Sequence, residues 1–201
     1  GSEMCIRDRD ISNWNTSNVT DMRRMFSLAA SFNHNIGKWN ISKVSLMGIM
    51  FDNATALSTA NKGEIHKSFS TNSNWPYPSW SAYVVYTPIT DVNFQDAVSL
   101  WFSNQADANK TYGHISDWNT SAVTSMRQAF QMRNFNEDIS NWDTSSVTSM
   151  YEMFDHAGSF NRDISGWDLG QIDNMAKMFL SAVNFNQNLE NWNISSATVM
   201  Y

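Results

Sequence analysis

The sequence predicts an α/β fold built as a repeat solenoid, with one short parallel strand and one helix in each coil of about 25 residues. Two observations carry this. The phrase "ISNWNTSNVTDMRRMF", residues 11–26, returns as "ISDWNTSAVTSMRQAF" at 115–130 and as "ISNWDTSSVTSMYEMF" at 139–154. Tryptophans mark the period: Trp14 and Trp39 are 25 apart, and Trp118, Trp142, Trp167 and Trp192 follow one another at 24, 25 and 25. The unit reads I-x-x-W-[ND]-x-[SG]-x-V-x-x-M-x-x-M-F-x-x-A-x-x-F-N-x-[ND].

The helix comes from apolar spacing. Val19, Met22, Phe26 and Ala29 are separated by 3, 4 and 3, and Val147, Met150, Phe154 and Ala157 repeat the pattern. That spacing is one face of an α-helix. Hydroxyl pairs before it, Thr16-Ser17 and Thr144-Ser145, suit a helix start. The intervening residues differ between copies (Arg23-Arg24, Arg127-Gln128, Tyr151-Glu152, Ala176-Lys177), which reads as a solvated face. The strand is placed at Trp14, so that Trp14 and Thr16 share the inner side, close to the L-x-x-L-x-L spacing of leucine-rich repeats. One unit cannot cover its own apolar side, so each copy must pack on the next.

Around the repeats the chain divides. Residues 1–9 do not continue the pattern, "EMCIRDR" resembles read-through of sequencing-adapter DNA, and this stretch is read as a non-native flank. Tyr201 falls in mid-repeat, so the chain reads as a fragment. Residues 10–74 form a first repeat block. It closes with a capping helix over 57–69, in which Leu57, Ile65 and Phe69 face inward and Ser58 is the N-cap. Residues 75–88, which hold all three prolines, read as a linker. Residues 89–201 form a second block. It opens with a capping helix carrying Val92, Ala97, Val98, Trp101 and Phe102 after Thr90 or Asp91, and a turn at 112–114 leads into the next repeat.

The strings "W-[ND]-x-S-x-V-T-x-M-x-x-M-F" and "F-N-x-D-I-S", with residues 139–167 fitting best, resemble the bacterial surface protein repeat of about 26 residues, the BspA-like family. The resemblance covers residues 10–56 and 114–201. It implies a leucine-rich-repeat-like solenoid, a cell-surface or secreted location, and adhesion or protein binding rather than catalysis. No active site is implied.

Composition narrows the partners. A net charge of -6 gives no basic footprint for nucleic acid, and no run is long and apolar enough to span a membrane. The single cysteine, Cys5, precludes an internal disulfide. No enzyme motif appears, the four histidines His34, His66, His114 and His156 share no motif spacing, and no cofactor or metal is expected. The tryptophan column reads as core rather than as a sugar-stacking row. Ten of the twelve methionines fall in two repeat columns and also read as core. The Asn/Asp columns, one after each tryptophan (Asn15, Asn40, Asn119, Asp143, Asp168, Asn193) and one after phenylalanine (Asn33, Asn136, Asn161, Asn186), read as Asx turns or an amide ladder rather than calcium ligands. Seven N-x-[ST] strings follow from this turn chemistry. Binding candidates are Trp75, Tyr77 and Trp80, with Tyr83 and Tyr86 nearby, outside the repeat. Their expected place is over the junction between blocks, and a carbohydrate-binding patch is the alternative. The function expected is a non-catalytic surface protein that binds a protein or glycan; the alternative is a structural spacer.

Overall fold

The computed structural model describes residues 10–201; the flank assigned to residues 1–9 lies outside them. The described chain is low in regular structure. It has three α-helices, α1 (Thr59–Phe69), α2 (Phe94–Ser103) and α3 (Gln105–Tyr112), two short 3₁₀ helices, and four isolated parallel bridges in place of strands. The chain divides into two compact units, the first ending at Val85 and the second beginning at Tyr86.

The helix expected in each repeat does not form, and neither does the strand at Trp14. The Met22–Ala29 stretch is instead two consecutive tight turns. The amide of Met25 donates to Met22 O and that of Ala29 to Phe26 O, at 3.3 and 3.1 Å. The third residue of each turn is left-handed, Arg24 at φ 58 and Leu28 at φ 61, as a type II turn requires. The same turns recur at Ile49 and Asn53, Gln128 and Met132, Glu152 and His156, and Lys177 and Ser181. Turns closing every four residues send Met22, Phe26 and Ala29 inward, which is why their spacing mimics a helical face.

The helix fails because its amides have better partners. Met22, Arg24, Phe26 and Leu28 donate to Leu46, Gly48, Met50 and Asp52 carbonyls of the next copy at 2.8, 3.3, 2.9 and 2.7 Å. Met126, Gln128, Phe130 and Met132 do the same to Ser149, Tyr151, Met153 and Asp155. Alternate residues therefore pair sideways, as in a parallel ladder. Bridges join Asp21 to Leu46, and Ser125, Ser149, Asn174 and Val199 in series. The I-x-x-W piece is a turn: Trp14 N donates to Ile11 O at 3.1 Å, and Trp142 N to Ile139 O at 3.1 Å.

That isoleucine carbonyl also accepts the indole of the following copy. Trp39 Nε1 donates to Ile11 O at 2.9 Å, Trp142 to Ile115 at 2.8 Å, Trp167 to Ile139 at 3.1 Å and Trp192 to Ile164 at 3.0 Å. A buried carbonyl with two lone pairs is filled by two donors, which explains tryptophan here rather than phenylalanine. The Thr hydroxyls do not cap helices. Thr16, Thr120 and Thr144 are buried and donate to the carbonyls of Asn40, Asp143 and Asp168 in the next copy. Around these bonds the aromatic columns stack. Phe130, Phe154 and Phe179 lie 5.4 and 5.6 Å apart, within 15° of parallel, and Phe135, Phe160 and Phe185 form a second row. Trp39, Trp118, Trp142 and Trp167 are buried, while Trp14 is 48% exposed. The solvated face assigned to the varying residues holds for Arg23 and Arg127, but Glu152 and Ala176 are buried.

Each unit carries a segment that replaces a missing neighbour. In the first, α1 forms where expected. Ser58 Oγ accepts from Asn61 N at 3.2 Å, and Leu57, Ile65 and Phe69 are buried. Tyr77 Oη accepts from Phe51 N at 2.8 Å, where a further copy would offer a carbonyl. Residues 75–83 are therefore not a linker: they fold onto this unit, and Pro78–Tyr83 is a 3₁₀ helix with Trp80 buried. In the second unit α2 starts at Phe94, later than expected, leaving Val92 exposed; Ala97, Val98 and Trp101 are buried. The sequence reading missed α3, whose N-cap Asn104 accepts from Asp107 N at 3.2 Å and which ends at Gly113, φ +84.

Asp91 serves the opening edge of the second unit. In later copies one carbonyl takes two amides: Thr148 N and Ser149 N both donate to Thr124 O, at 2.8 and 3.4 Å. Thr124 has no such carbonyl before it in its unit. Its amide and that of Ser125 donate instead to Asp91 Oδ1, at 2.7 and 3.3 Å, and the Thr124 hydroxyl to Asp91 Oδ2 at 2.7 Å. Partial burial pushes this carboxyl up, and the bonds from Thr124 and Ser125 outweigh it, leaving the pKa below the usual value.

Trp142→Phe should cost about 1 kcal/mol, the net loss of one of the two bonds to Ile115 O. Trp142→Ala and Phe154→Ala should each cost about 3–5 kcal/mol, read by denaturant melts; unchanged melts would mean these rings are not core. Asp91→Ala should lower stability by about 1 kcal/mol, discounted for exposure. Because the folded pKa is depressed, this contribution is present above the unfolded value of about 3.9 and is lost as pH falls through the folded value. The gap between wild type and variant should close there and stay constant above about pH 5.

Candidate functional site

The aromatic candidates lie together in the first unit. Trp75 packs edge-on against Phe69 at 5.3 Å and Trp80 at 5.5 Å, and Tyr77 stacks on Trp80 at 4.8 Å and 22°. Phe51 closes the group, 5.2 Å from Trp80. Trp80 is 8% exposed, and Trp75 and Tyr77 are half-buried, so most ring surface is used within the cluster. Lys62 Nζ stands 5.8 Å from the Trp80 ring and 5.9 Å from Tyr83, in cation–π range. A cavity of about 290 Å³ is lined by Phe51, Asp52, Asn53, Lys62, Tyr77 and Trp80 among others. Tyr86 belongs to the second unit, where its ring covers Gly113.

His66 ties this cluster to α1. Its Nδ1 accepts from Trp75 Nε1 at 3.0 Å, which requires the tautomer with Nδ1 unprotonated. Burial holds the imidazole pKa below its ordinary value, against a smaller opposing bond with the Tyr77 backbone. A larger groove, about 720 Å³, lies beside the cap and is lined by Asn40, Ser42, Lys43, Ser45, Thr71 and Asn72 among others. Amides and hydroxyls dominate it, and Asn72 Nδ2 spans its base by donating to Ile41 O and Val44 O at 3.1 and 2.8 Å.

The Asn/Asp columns do the backbone work expected of them. Asn15, Asn40, Asn119, Asp143, Asp168 and Asn193 each accept from the amide two residues on, at 2.9–3.2 Å. The second column is a ladder between copies: Asn136 Oδ1 accepts from Asn161 N, and Asn161 Oδ1 from Asn186 N, both at 2.9 Å. Asn33 Oδ1 accepts from Ser58 N at 2.9 Å, so α1 enters the same register. Among the described residues no group of three His, Cys, Asp or Glu could hold a metal ion.

The second unit holds a charged network that sequence reasoning did not single out. Glu152 and Asp155 are buried at 9% and 5% exposure. Gln131 Nε2 donates to both, at 3.0 and 2.8 Å, and Gln128 Nε2 donates to Glu152 at 2.8 Å. His156 Nδ1 meets Asp155 Oδ1 at 2.5 Å, and Lys177 lies 3.7 Å from Glu152. The Tyr151 hydroxyl and Gln128 hold the Glu152 carboxyl below its ordinary pKa. The network joins side chains 21–25 residues apart, so only the register between copies reveals it. Both carboxylates accept from side-chain amides of the preceding copy, so the network cross-links the two copies. The histidines are not gathered: His34 packs on Phe32, His66 on Trp75, His114 on Trp101 and His156 on Asp155.

Tandem copies joined by backbone bonds at a fixed offset, with aromatic rows inside, define a repeat protein. The chain belongs to the DUF285 family, described as a Mycoplasma protein of unknown function, whose model matches residues 5–75 and 96–201. The unmatched stretch holds Tyr77, Trp80 and Asp91, the groups that close the units. No curated protein and no solved structure was found to match the chain. Among the described residues no helix is long and apolar enough to cross a membrane.

The His66 contact gives a direct test. Protonating Nδ1 removes the acceptor for Trp75, so a depressed folded pKa means stability that is complete above the unfolded value of about 6.5 and is lost as pH falls through the folded value. An NMR titration should place the His66 midpoint below about 6.5; a midpoint at or above it would contradict the contact.

Proposed function

We propose that the chain is a BspA-like, leucine-rich-repeat-like solenoid that acts as a non-catalytic interaction module at a cell surface or in a secreted setting, binding a protein or glycan partner. The observation that carries this reading is the composition of the left-handed turn positions. The ten are Arg24, Leu28, Ile49, Asn53, Gln128, Met132, Glu152, His156, Lys177 and Ser181: ten different side chains, none of them glycine. A left-handed conformation costs a non-glycine residue about 1–2 kcal/mol. Glycine or asparagine would serve if the turn alone mattered. Eight of the ten are exposed, so the repeats carry a row of unlike side chains on fixed backbone positions, a surface suited to recognition. The commitment of Glu152 and Asp155 to neighbouring amides favours binding over catalysis.

The test is a glycan and protein array probed with the whole chain and with an Arg24→Asn, Leu28→Asn, Met132→Asn variant, three exposed left-handed positions. Asparagine tolerates the left-handed region, so the variant should melt like wild type. The reading expects a ligand for wild type and about tenfold weaker binding for the variant, a loss of about 1.4 kcal/mol. An array without a ligand would favour a structural spacer, and a signal unaffected by the variant would move the binding face elsewhere.

A further inference from the structure

We propose that the edge Leu46–Ile49 of the first unit, ahead of the Phe51 amide that Tyr77 fills, docks an extended peptide segment of a partner protein, added in parallel beside the free amides of Met47 and Ile49. This rests on the binding role proposed above and gives it a place and a partner class. The interface between the first two copies sets the pattern. Four amides of the Trp14 copy, those of Met22, Arg24, Phe26 and Leu28, donate to four carbonyls of the Trp39 copy. The matching amides of the Trp39 copy are those of Met47, Ile49, Phe51 and Asn53. One, Phe51, is filled by Tyr77 Oη. The amides of Met47, Ile49 and Asn53 have no hydrogen-bond partner among the described residues. The edge is a row of donors at alternate residues with its closing group at one position only.

The surroundings leave room for a chain. A Cβ placed on Gly48 would meet no heavy atom within 4 Å. Leu46 and Ile49 are 42% and 45% exposed, giving apolar side chains beside the free amides. Residues 39–45, just before the edge, line the amide-rich groove of about 720 Å³. Residues 51–55, just after it, line the aromatic cavity of about 290 Å³. The second unit treats its opening edge differently: Asp91 takes Thr124 N and Ser125 N, and Gln95 Nε2 donates to Arg127 O at 2.8 Å. An unpaired ladder of amides is a template for strand addition. The occupant needs carbonyls at alternate residues, an apolar centre for Leu46 and Ile49, and polar side chains toward Ser42, Lys43 and Asn72.

The experiment is amide hydrogen exchange by NMR on the whole chain, with and without a synthetic peptide of residues 144–156. That segment offers the carbonyls of Ser149, Tyr151, Met153 and Asp155 within this protein. Excess peptide should slow exchange at Met47 and Ile49 by about tenfold or more and leave Met22 and Arg24 unchanged. Ile49→Lys should abolish the slowing, since an edge lysine opposes strand addition; Lys177 occupies the same turn position, so the fold accepts it. Exchange at Met47 and Ile49 that ignores the peptide would overturn the proposal. Slowing that grows with protein concentration alone would overturn it in favour of a second copy of the chain. An array without a ligand, with the peptide still protecting the edge, would remove the surface role and leave the docking site standing.

Discussion

The constraint on which the rest depends is the sideways hydrogen bonding of alternate backbone amides. Once Met126, Gln128, Phe130 and Met132 donate to the next copy, they cannot also close a helix within their own. The chain between them must then turn in small steps, and the left-handed residues follow. So does the need for neighbours, because a single copy would leave a row of amides and a row of carbonyls unpaired. An unmade bond in a dry interior costs about 1–3 kcal/mol, several times over per copy. The sequence repeats because hydrogen-bonding positions and aromatic rows have to fall in the same register.

The side chains serve that register. The indole nitrogen of Trp142 reaches back to Ile115 O, the Thr144 hydroxyl reaches forward to Asp168 O, and the Phe154 ring lies between those of Phe130 and Phe179. Each is set by the copy on either side. At the ends, where no copy is present, other chemistry takes over. Asp91 offers one carboxylate oxygen to the two amides that a carbonyl would otherwise take, and Tyr77 offers a hydroxyl to Phe51 N. At these positions a side chain supplies the acceptor that the repeat sequence supplies elsewhere.

Much of this was legible in the residues. The period, the buried columns, the Asx turns after each tryptophan and the α1 cap with Ser58 at its start all follow from local rules. The helix within each repeat was misread because spacing of 3 and 4 reports only that residues point inward. Tight turns ending in Arg24 and Leu28 satisfy it as well as a helix does, and nothing in arginine or leucine announces a left-handed backbone. The proline-bearing context of Trp75, Tyr77 and Trp80 suggests a linker, yet the three rings pack on the first unit. Only the position of Phe51 N shows why Tyr77 must fold back. The Glu152–Asp155 network was invisible for a similar reason: Gln128 and Gln131 reach it from another copy.

The most direct measurement is of through-hydrogen-bond scalar couplings by NMR, which name the donor and the acceptor of each backbone bond. The account predicts a correlation from the Met126 amide to the Ser149 carbonyl, and another from Phe130 to Met153. A correlation from Phe130 to its own Met126 carbonyl, the signature of a helix within the repeat, would contradict it.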